Sequence, residues 1–110
     1  MNSRGDGIRS WLIQRISAIF IVLYLIYLFI SISSFAQMDF STWHGWVALT
    51  TNKILLVLFF LSLLLHAWVG IRDVVLDYVH GFTIRFVALT VIIGSMLAMA
   101  IWLLLIIIKV

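Results

Sequence analysis

Three long apolar segments, separated by short polar ones, dominate the hydrophobic pattern of this chain. They cover approximately residues 11–36, 53–75 and 82–108. About 20 apolar residues in a helix are enough to cross a bilayer core of about 30 Å. The pattern therefore predicts an all-α membrane protein, a single membrane-anchor domain over residues 1–110 with three transmembrane helices. We expect the first segment to be retained, because its apolar run is longer than the core of a signal peptide.

The composition points to the bilayer as the solvent of this chain. It has 110 residues, of which 65% are hydrophobic and 10% are charged. A soluble domain of this size could not bury so much apolar surface within itself. The chain contains no cysteine, which excludes disulfides, zinc–thiolate sites, cysteine-ligated iron–sulfur clusters and haem attached through thioethers.

The net charge of +3 is a topology signal, because the basic residues lie at the ends of the apolar segments. We do not expect nucleic-acid binding. The N-terminal side and the second loop carry Arg4, Arg9, Arg15, Arg72 and Arg85, whereas the opposite side carries Lys53 and Lys109. The positive-inside rule then predicts a cytoplasmic N-terminus and an external C-terminus.

The first loop, from Gln37 to Asn52, contains a short amphipathic segment, FSTWHGWVAL. We expect Ser41 to cap a short helix there, with Trp43 and Trp46 at the membrane interface. His44 lies in the same segment, and we assign it no role.

The second apolar segment places a histidine, His66, where hydrocarbon is expected to continue. An ionisable residue inside a membrane helix is costly and marks a candidate functional site. Helical spacing puts His66, Gly70, Asp73 and Asp77 on one stripe if the helix continues past Arg72. From spacing alone, His66 is equally well a metal ligand or a partner in an interhelical hydrogen bond.

A set of residues around His66 carries a resemblance to a known family. These residues are His66, Ala67, Trp68, Gly70, Val74, Asp77, Tyr78 and Val79, extended by His80 and Gly81. The chain resembles the smaller hydrophobic membrane anchor subunit of succinate dehydrogenase (respiratory complex II), of the bacterial type. The three segments and the arginine near the start of the first one also fit, so the resemblance covers most of the chain.

The resemblance implies a subunit that catalyses nothing alone and forms part of a heteromeric helix bundle. His66 would be one axial ligand of a haem b shared with a larger cytochrome b subunit, with Gly70 leaving room for the flat ligand. Arg15 would pair with a haem propionate. Tyr78, supported by Asp77, would hydrogen-bond ubiquinone, which receives electrons from a flavoprotein subunit through an iron–sulfur subunit. The location implied is the bacterial inner membrane, with the C-terminus periplasmic.

Other interpretations remain open at this point. Arg15 could extend to the headgroups, and Asp77 and Tyr78 could simply be interfacial residues. Arg72 and Asp73 would then form a local salt bridge or contact a peripheral subunit, and His80 has no assigned role. The alternatives for the whole chain are a fumarate reductase-type anchor, a small homo-oligomeric transporter and a plain scaffold protein. A transporter normally needs an acidic group within the membrane, and no aspartate lies near the centre of a segment.

Overall fold

The computed structural model describes the backbone of residues 3–110 and the side chains of residues 7–110. The elements are α1 (Ser3–Ser33), α2 (Phe40–Ala48), α3 (Thr50–Tyr78) and α4 (Phe82–Lys109), with no strand in this part of the chain. The helices α1, α3 and α4 are each long and apolar enough to cross a membrane. The predicted all-α class with three such helices is confirmed. The side chain of Arg4, one of the arginines used to predict the topology, lies outside the described residues.

The ends of the long helices differ from the predicted segments. α1 begins well before residue 11 and ends at Ser33, and α3 continues without a break past Arg72 to Tyr78. α3 does not extend as far as Gly81. Val79 already adopts an extended conformation, and Gly81 is instead the residue that precedes the first turn of α4.

The short helix α2 forms where the amphipathic segment predicted it, but its cap is a different residue. Asp39, not Ser41, accepts a hydrogen bond from the backbone N–H of Thr42, with a distance of 2.8 Å between N and Oδ1. The helix starts at Phe40, so Ser41 already lies inside the first turn. The bond from Thr42 lowers the pKa of the Asp39 carboxyl, because it stabilises the charged form.

The helix α3 lies between the other two long helices. It packs against α1, α4 and α2, whereas α1 and α4 do not pack against each other over the described residues. The pairing of early α1 residues with late α3 residues makes these two helices antiparallel. Because α3 carries His66 and ends at Tyr78, both candidate sites lie on the central helix.

Much apolar surface of this chain faces outward. In α4, Ile107 is the buried residue, and Phe82 and Trp102 are 84% and 67% exposed. A water-soluble monomer rarely exposes such large apolar patches. Within a bilayer, lipid chains or other membrane subunits cover these faces.

Hydrogen-bonding side chains run along the interface between α1 and α3, and we call this row the polar seam. Its pairs are Ser10 with Arg72 (2.7 Å), Ser17 with His66 (3.1 Å) and Tyr27 with Asn52. In a membrane, interhelical bonds of this kind contribute about 0.6 kcal/mol on average and up to about 2 kcal/mol. Because the three pairs are spread along both helices, they fix the register of α1 on α3.

The end of the polar seam opposite Arg72 also holds α2. Asn52 is 4% exposed, accepts a hydrogen bond from the Tyr27 hydroxyl and donates one to the backbone carbonyl of Trp46 at 2.7 Å. One step further along the interface, the rings of Tyr24 and Phe59 stack with centroids 4.5 Å apart. These contacts connect α1, α2 and α3 at the end of the molecule far from Tyr78.

Candidate functional site

The side chain of His66 is held from α1 through one of its two ring nitrogens. Its Nδ1 lies 3.1 Å from the hydroxyl oxygen of Ser17, which is 5% exposed. The Ser17 hydroxyl also donates to the backbone carbonyl of Gln14, at 3.1 Å. A hydroxyl has only one hydrogen. Both bonds therefore form together only when His66 carries its proton on Nδ1 and donates it to Ser17.

This tautomer leaves the lone pair of the other nitrogen, Nε2, available. No hydrogen bond to Nε2 of His66 is found among residues 7–110. Neutral imidazole binds metal through such a lone pair, with the other ring nitrogen donating to a neighbouring group. The two interpretations of His66 are thus compatible, since an interhelical hydrogen bond at Nδ1 prepares Nε2 to act as a ligand.

The position of Gly70, one turn after His66, is covered by α1. A Cβ atom placed on Gly70 would lie 3.5 Å from Nε2 of Gln14, which is ordinary van der Waals contact. The other amide atom of Gln14, Oε1, is buried and has no donor among the described side chains. The Gln14 amide therefore borders the space over Gly70 that the sequence predicted to be open for a flat ligand.

The structure does not bring Arg15 next to His66. The exposed guanidinium of Arg15 lies over the ring of Trp11, with its Cζ 5.7 Å from the ring centroid. Ser17 faces α3, and residues two apart on a helix do not share a face. Arg15 lines a groove formed by α1 alone, with Ala18, Ile19, Val22 and Leu23.

Tyr78 lies at the very end of α3 with its side chain 77% exposed. Asp77 is also exposed, and no hydrogen bond joins the two side chains in the described part of the molecule. Consecutive side chains on a helix point in directions about 100° apart. Any support that Asp77 gives to Tyr78 is therefore not a direct contact. Because Tyr78 follows His66 by twelve positions, it lies about 18 Å beyond His66 along the helix axis.

An apolar groove of about 290 Å³ lies between α1 and α3, beside the Ser17–His66 pair. Its walls are Ile13, Ile16, Ser17, Phe20, Leu58, Ser62 and Leu65. Within residues 7–110, no group of three or more His, Asp or Glu side chains is arranged to hold a metal ion.

The comparison with known families decides where the chain belongs. A family model described as "Succinate dehydrogenase/Fumarate reductase transmembrane subunit" matches residues 4–107. The chain belongs to this family. It is also 26% identical over 96 residues to the "Succinate dehydrogenase hydrophobic membrane anchor subunit" of Coxiella burnetii (strain RSA 493 / Nine Mile phase I), covering 87% of this chain and 84% of that relative. The predicted resemblance is confirmed, and the chain is a multi-pass membrane protein.

Membership of the succinate dehydrogenase/fumarate reductase transmembrane subunit family narrows the alternatives. It favours an anchor over a homo-oligomeric transporter, because the family is described as a subunit of an oxidoreductase. It leaves succinate dehydrogenase and fumarate reductase side by side, since the description covers both.

Of the residues without an assigned role, Arg72 and Asp73 form the salt bridge that was one of the two expected outcomes, with Nη2 of Arg72 3.2 Å from Oδ1 of Asp73. Their side chains are 33% and 53% exposed, so solvent screening leaves this pair little strength. The structural contribution of Arg72 is its bond to Ser10, which ties α1 to the last third of α3.

His44 is exposed, with its ring 5.4 Å from that of Phe40, and His80 is exposed in the second loop.

Sequence reasoning missed Gln14 and Ser17 as parts of the site. By residue type alone, a serine in a membrane helix indicates a helix-packing position. The signal that could have found them is the spacing of Ser10, Gln14 and Ser17, which puts three polar side chains on one face of an otherwise apolar helix.

Proposed function

We propose that this chain is the hydrophobic membrane anchor subunit of a succinate dehydrogenase and binds haem b together with a larger cytochrome b subunit. The observation that carries this proposal is the Ser17–His66 hydrogen bond, which leaves Nε2 of a membrane histidine free to act as a ligand. The family match and the name of the Coxiella relative support the anchor role.

The residues present fit one half of a haem b site. Such a haem takes two axial ligands, and this chain offers one histidine within a long apolar helix. The second ligand would come from the cytochrome b subunit. Ser17 would orient the imidazole of His66 and raise its basicity as a ligand. When bound, the haem would supply a one-electron carrier within the membrane.

Arg15 and Gly70 have secondary parts in this proposal. The Arg15 guanidinium is exposed on α1, where a propionate group could pair with it in place of the Trp11 ring. Gly70 would leave room for the flat ligand beside His66, with the Gln14 amide at the boundary of that space. The buried Oε1 of Gln14 would accept a hydrogen bond from the partner subunit or the ligand.

Tyr78 and Asp77 form this chain's part of a ubiquinone site. A quinone keeps its long apolar tail in lipid, while its head needs hydrogen-bond donors and takes up two protons on reduction. The exposed hydroxyl of Tyr78 lies at the end of a membrane helix, where both requirements are met. A phenol there would donate to the quinone carbonyl and stabilise the negative charge that develops as electrons arrive. Electrons would come from succinate through the flavoprotein and iron–sulfur subunits.

For the membrane topology we expect a bacterial inner-membrane protein with a cytoplasmic N-terminus and a periplasmic C-terminus, because of the arginine excess on one side. Reporter fusions at Asp39 and at the C-terminus should both give a periplasmic signal. A cytoplasmic signal at the C-terminus would contradict the three-span topology.

The whole proposal is tested by purifying a tagged form of the chain from its native membranes and recording a reduced-minus-oxidised spectrum. We expect recovery with a flavoprotein, an iron–sulfur protein and a second membrane subunit, together with a b-type haem spectrum. Recovery as a homo-oligomer without haem would contradict the proposal and favour a transporter. Faster fumarate reduction by quinol than succinate oxidation by quinone would indicate the fumarate reductase-type anchor.

A further inference from the structure

The end of α3 is held by an arginine that belongs to the next helix. Arg85, in the first turn of α4, is half-buried. Its Nη2 donates to the backbone carbonyl of Leu76 at 2.8 Å, and its Nε donates to that of Val79. These two carbonyls lie immediately before and after the Asp77–Tyr78 pair. The guanidinium thus binds the backbone on both sides of the residues proposed to contact the quinone.

Arg85 can bind these carbonyls because α3 ends at Tyr78. The last carbonyls of a helix have no intrahelical donor, since the residues that would supply the N–H groups have left the helix. Val79 still donates to Val75 at 2.9 Å, but its backbone is extended, with φ −102° and ψ 116°. Among the described residues beyond the helix, Arg85 is the donor found for the Leu76 carbonyl. A cation at a helix C-terminus also interacts favourably with the helix dipole.

The backbone of Arg85 is itself held by a hydrogen bond to the loop between α3 and α4. The backbone N–H of Arg85 donates to the carbonyl of Gly81 at 2.9 Å, which starts α4 immediately after the three-residue loop 79–81. One residue therefore closes the first turn of α4 through its backbone and the last turn of α3 through its side chain.

We propose that Arg85 is a positioning residue for the quinone site, acting by fixing the backbone that carries Tyr78. This inference rests on the proposed role of Tyr78. The Tyr78 side chain is 77% exposed, and no hydrogen bond to its hydroxyl is found among residues 7–110. Its placement is therefore set by the backbone at the end of α3. The planar guanidinium reaches two carbonyls at once, whereas a lysine ammonium would act as a single point charge.

The test is quinone reduction by the assembled complex carrying Arg85→Gln, with Arg85→Lys as the conservative variant. Arg85→Gln is expected to raise the KM for ubiquinone by about tenfold, in the range that loss of a partly buried hydrogen-bond partner produces. Arg85→Lys should give a KM between those of parent and glutamine variant. The haem spectrum should stay as in the parent, because His66 is far along α3. Arg9→Gln is the control, since it removes the same charge from an exposed arginine on the same side.

A double-mutant cycle with Tyr78→Phe separates this inference from the proposed quinone site. If Arg85 acts through Tyr78, Arg85→Gln should change KM by less than about twofold in the Tyr78→Phe background. If Arg85→Gln raises KM tenfold in both the parent and the Tyr78→Phe backgrounds, the inference is overturned. It is also overturned if Tyr78→Phe alone raises KM while Arg85→Gln alone leaves KM unchanged. A parent-like KM in Tyr78→Phe alone would instead overturn the quinone site. If Arg85→Gln fails to assemble, the inference is tested with Arg85→Lys, where a parent-like KM would overturn it.

Discussion

Replacing His66 by leucine is expected to abolish the b-type haem spectrum of the purified complex. Leucine fills a similar volume in α3 but has no lone pair to bind iron, so the haem loses its ligand from this chain. The measurement is a reduced-minus-oxidised spectrum of complexes matched for subunit content. His44→Leu is the control, because it removes an exposed histidine of α2. An unchanged spectrum and redox potential in the assembled His66→Leu complex would show that His66 is not the ligand.

The serine that holds His66 offers a graded version of the same experiment. Ser17→Ala keeps the imidazole and removes the acceptor of its Nδ1 proton. Loss of such an outer partner typically weakens metal binding by about 10- to 100-fold. We expect haem to be retained at reduced occupancy or with a shifted potential.

Replacing Tyr78 by phenylalanine is expected to lower quinone reduction by roughly five- to a hundredfold at limiting ubiquinone. The ring remains and only the hydroxyl is lost, so the change isolates one hydrogen bond to the quinone, worth about 1–3 kcal/mol in a partly buried site. Succinate oxidation with an artificial acceptor at the peripheral subunits should be unaffected. The assay compares the two activities in the same preparation.

Tyr24→Phe is the matched control for the tyrosine experiment. It removes the same hydroxyl from a residue that is 4% exposed and whose hydroxyl has no hydrogen-bond partner among the described residues. Loss of that hydroxyl should leave quinone reduction at the parent level. Equal quinone reduction by Tyr78→Phe and parent would mean that Tyr78 is only an interfacial anchor.

The helix count followed from the sequence because apolar length is a nearly sufficient condition for a membrane helix. Three apolar runs and a polar, tryptophan-bearing loop predicted α1, α3, α4 and the short α2. The helix ends were less predictable. Asp39 and Ser41 are both good caps, and the choice between them depends on a two-residue difference in where α2 begins.

In the candidate site, too, some features could be predicted from the sequence and others could not. His66 and Tyr78 could be selected from the sequence by position alone. A histidine within hydrocarbon is unusual, and a tyrosine is characteristic of the membrane edge. Their surroundings could not. The Gln14 amide beside Gly70 and the position of Arg15 on another face of α1 depend on the rotation of α1 about its own axis, which hydropathy does not specify.

The sequence by itself determined that this chain is a three-helix membrane protein, which side of the membrane the positive-inside rule favours for its ends, and where an ionisable residue interrupts hydrocarbon. Each of these is a local property of composition along the chain. The tertiary structure decided that Ser17 meets His66, that Asn52 joins Tyr27 to Trp46 and that Arg85 closes the end of α3. The physical reason is that these hydrogen bonds join residues of different helices. They exist only once the helices adopt one register, and that register is set by the contacts themselves.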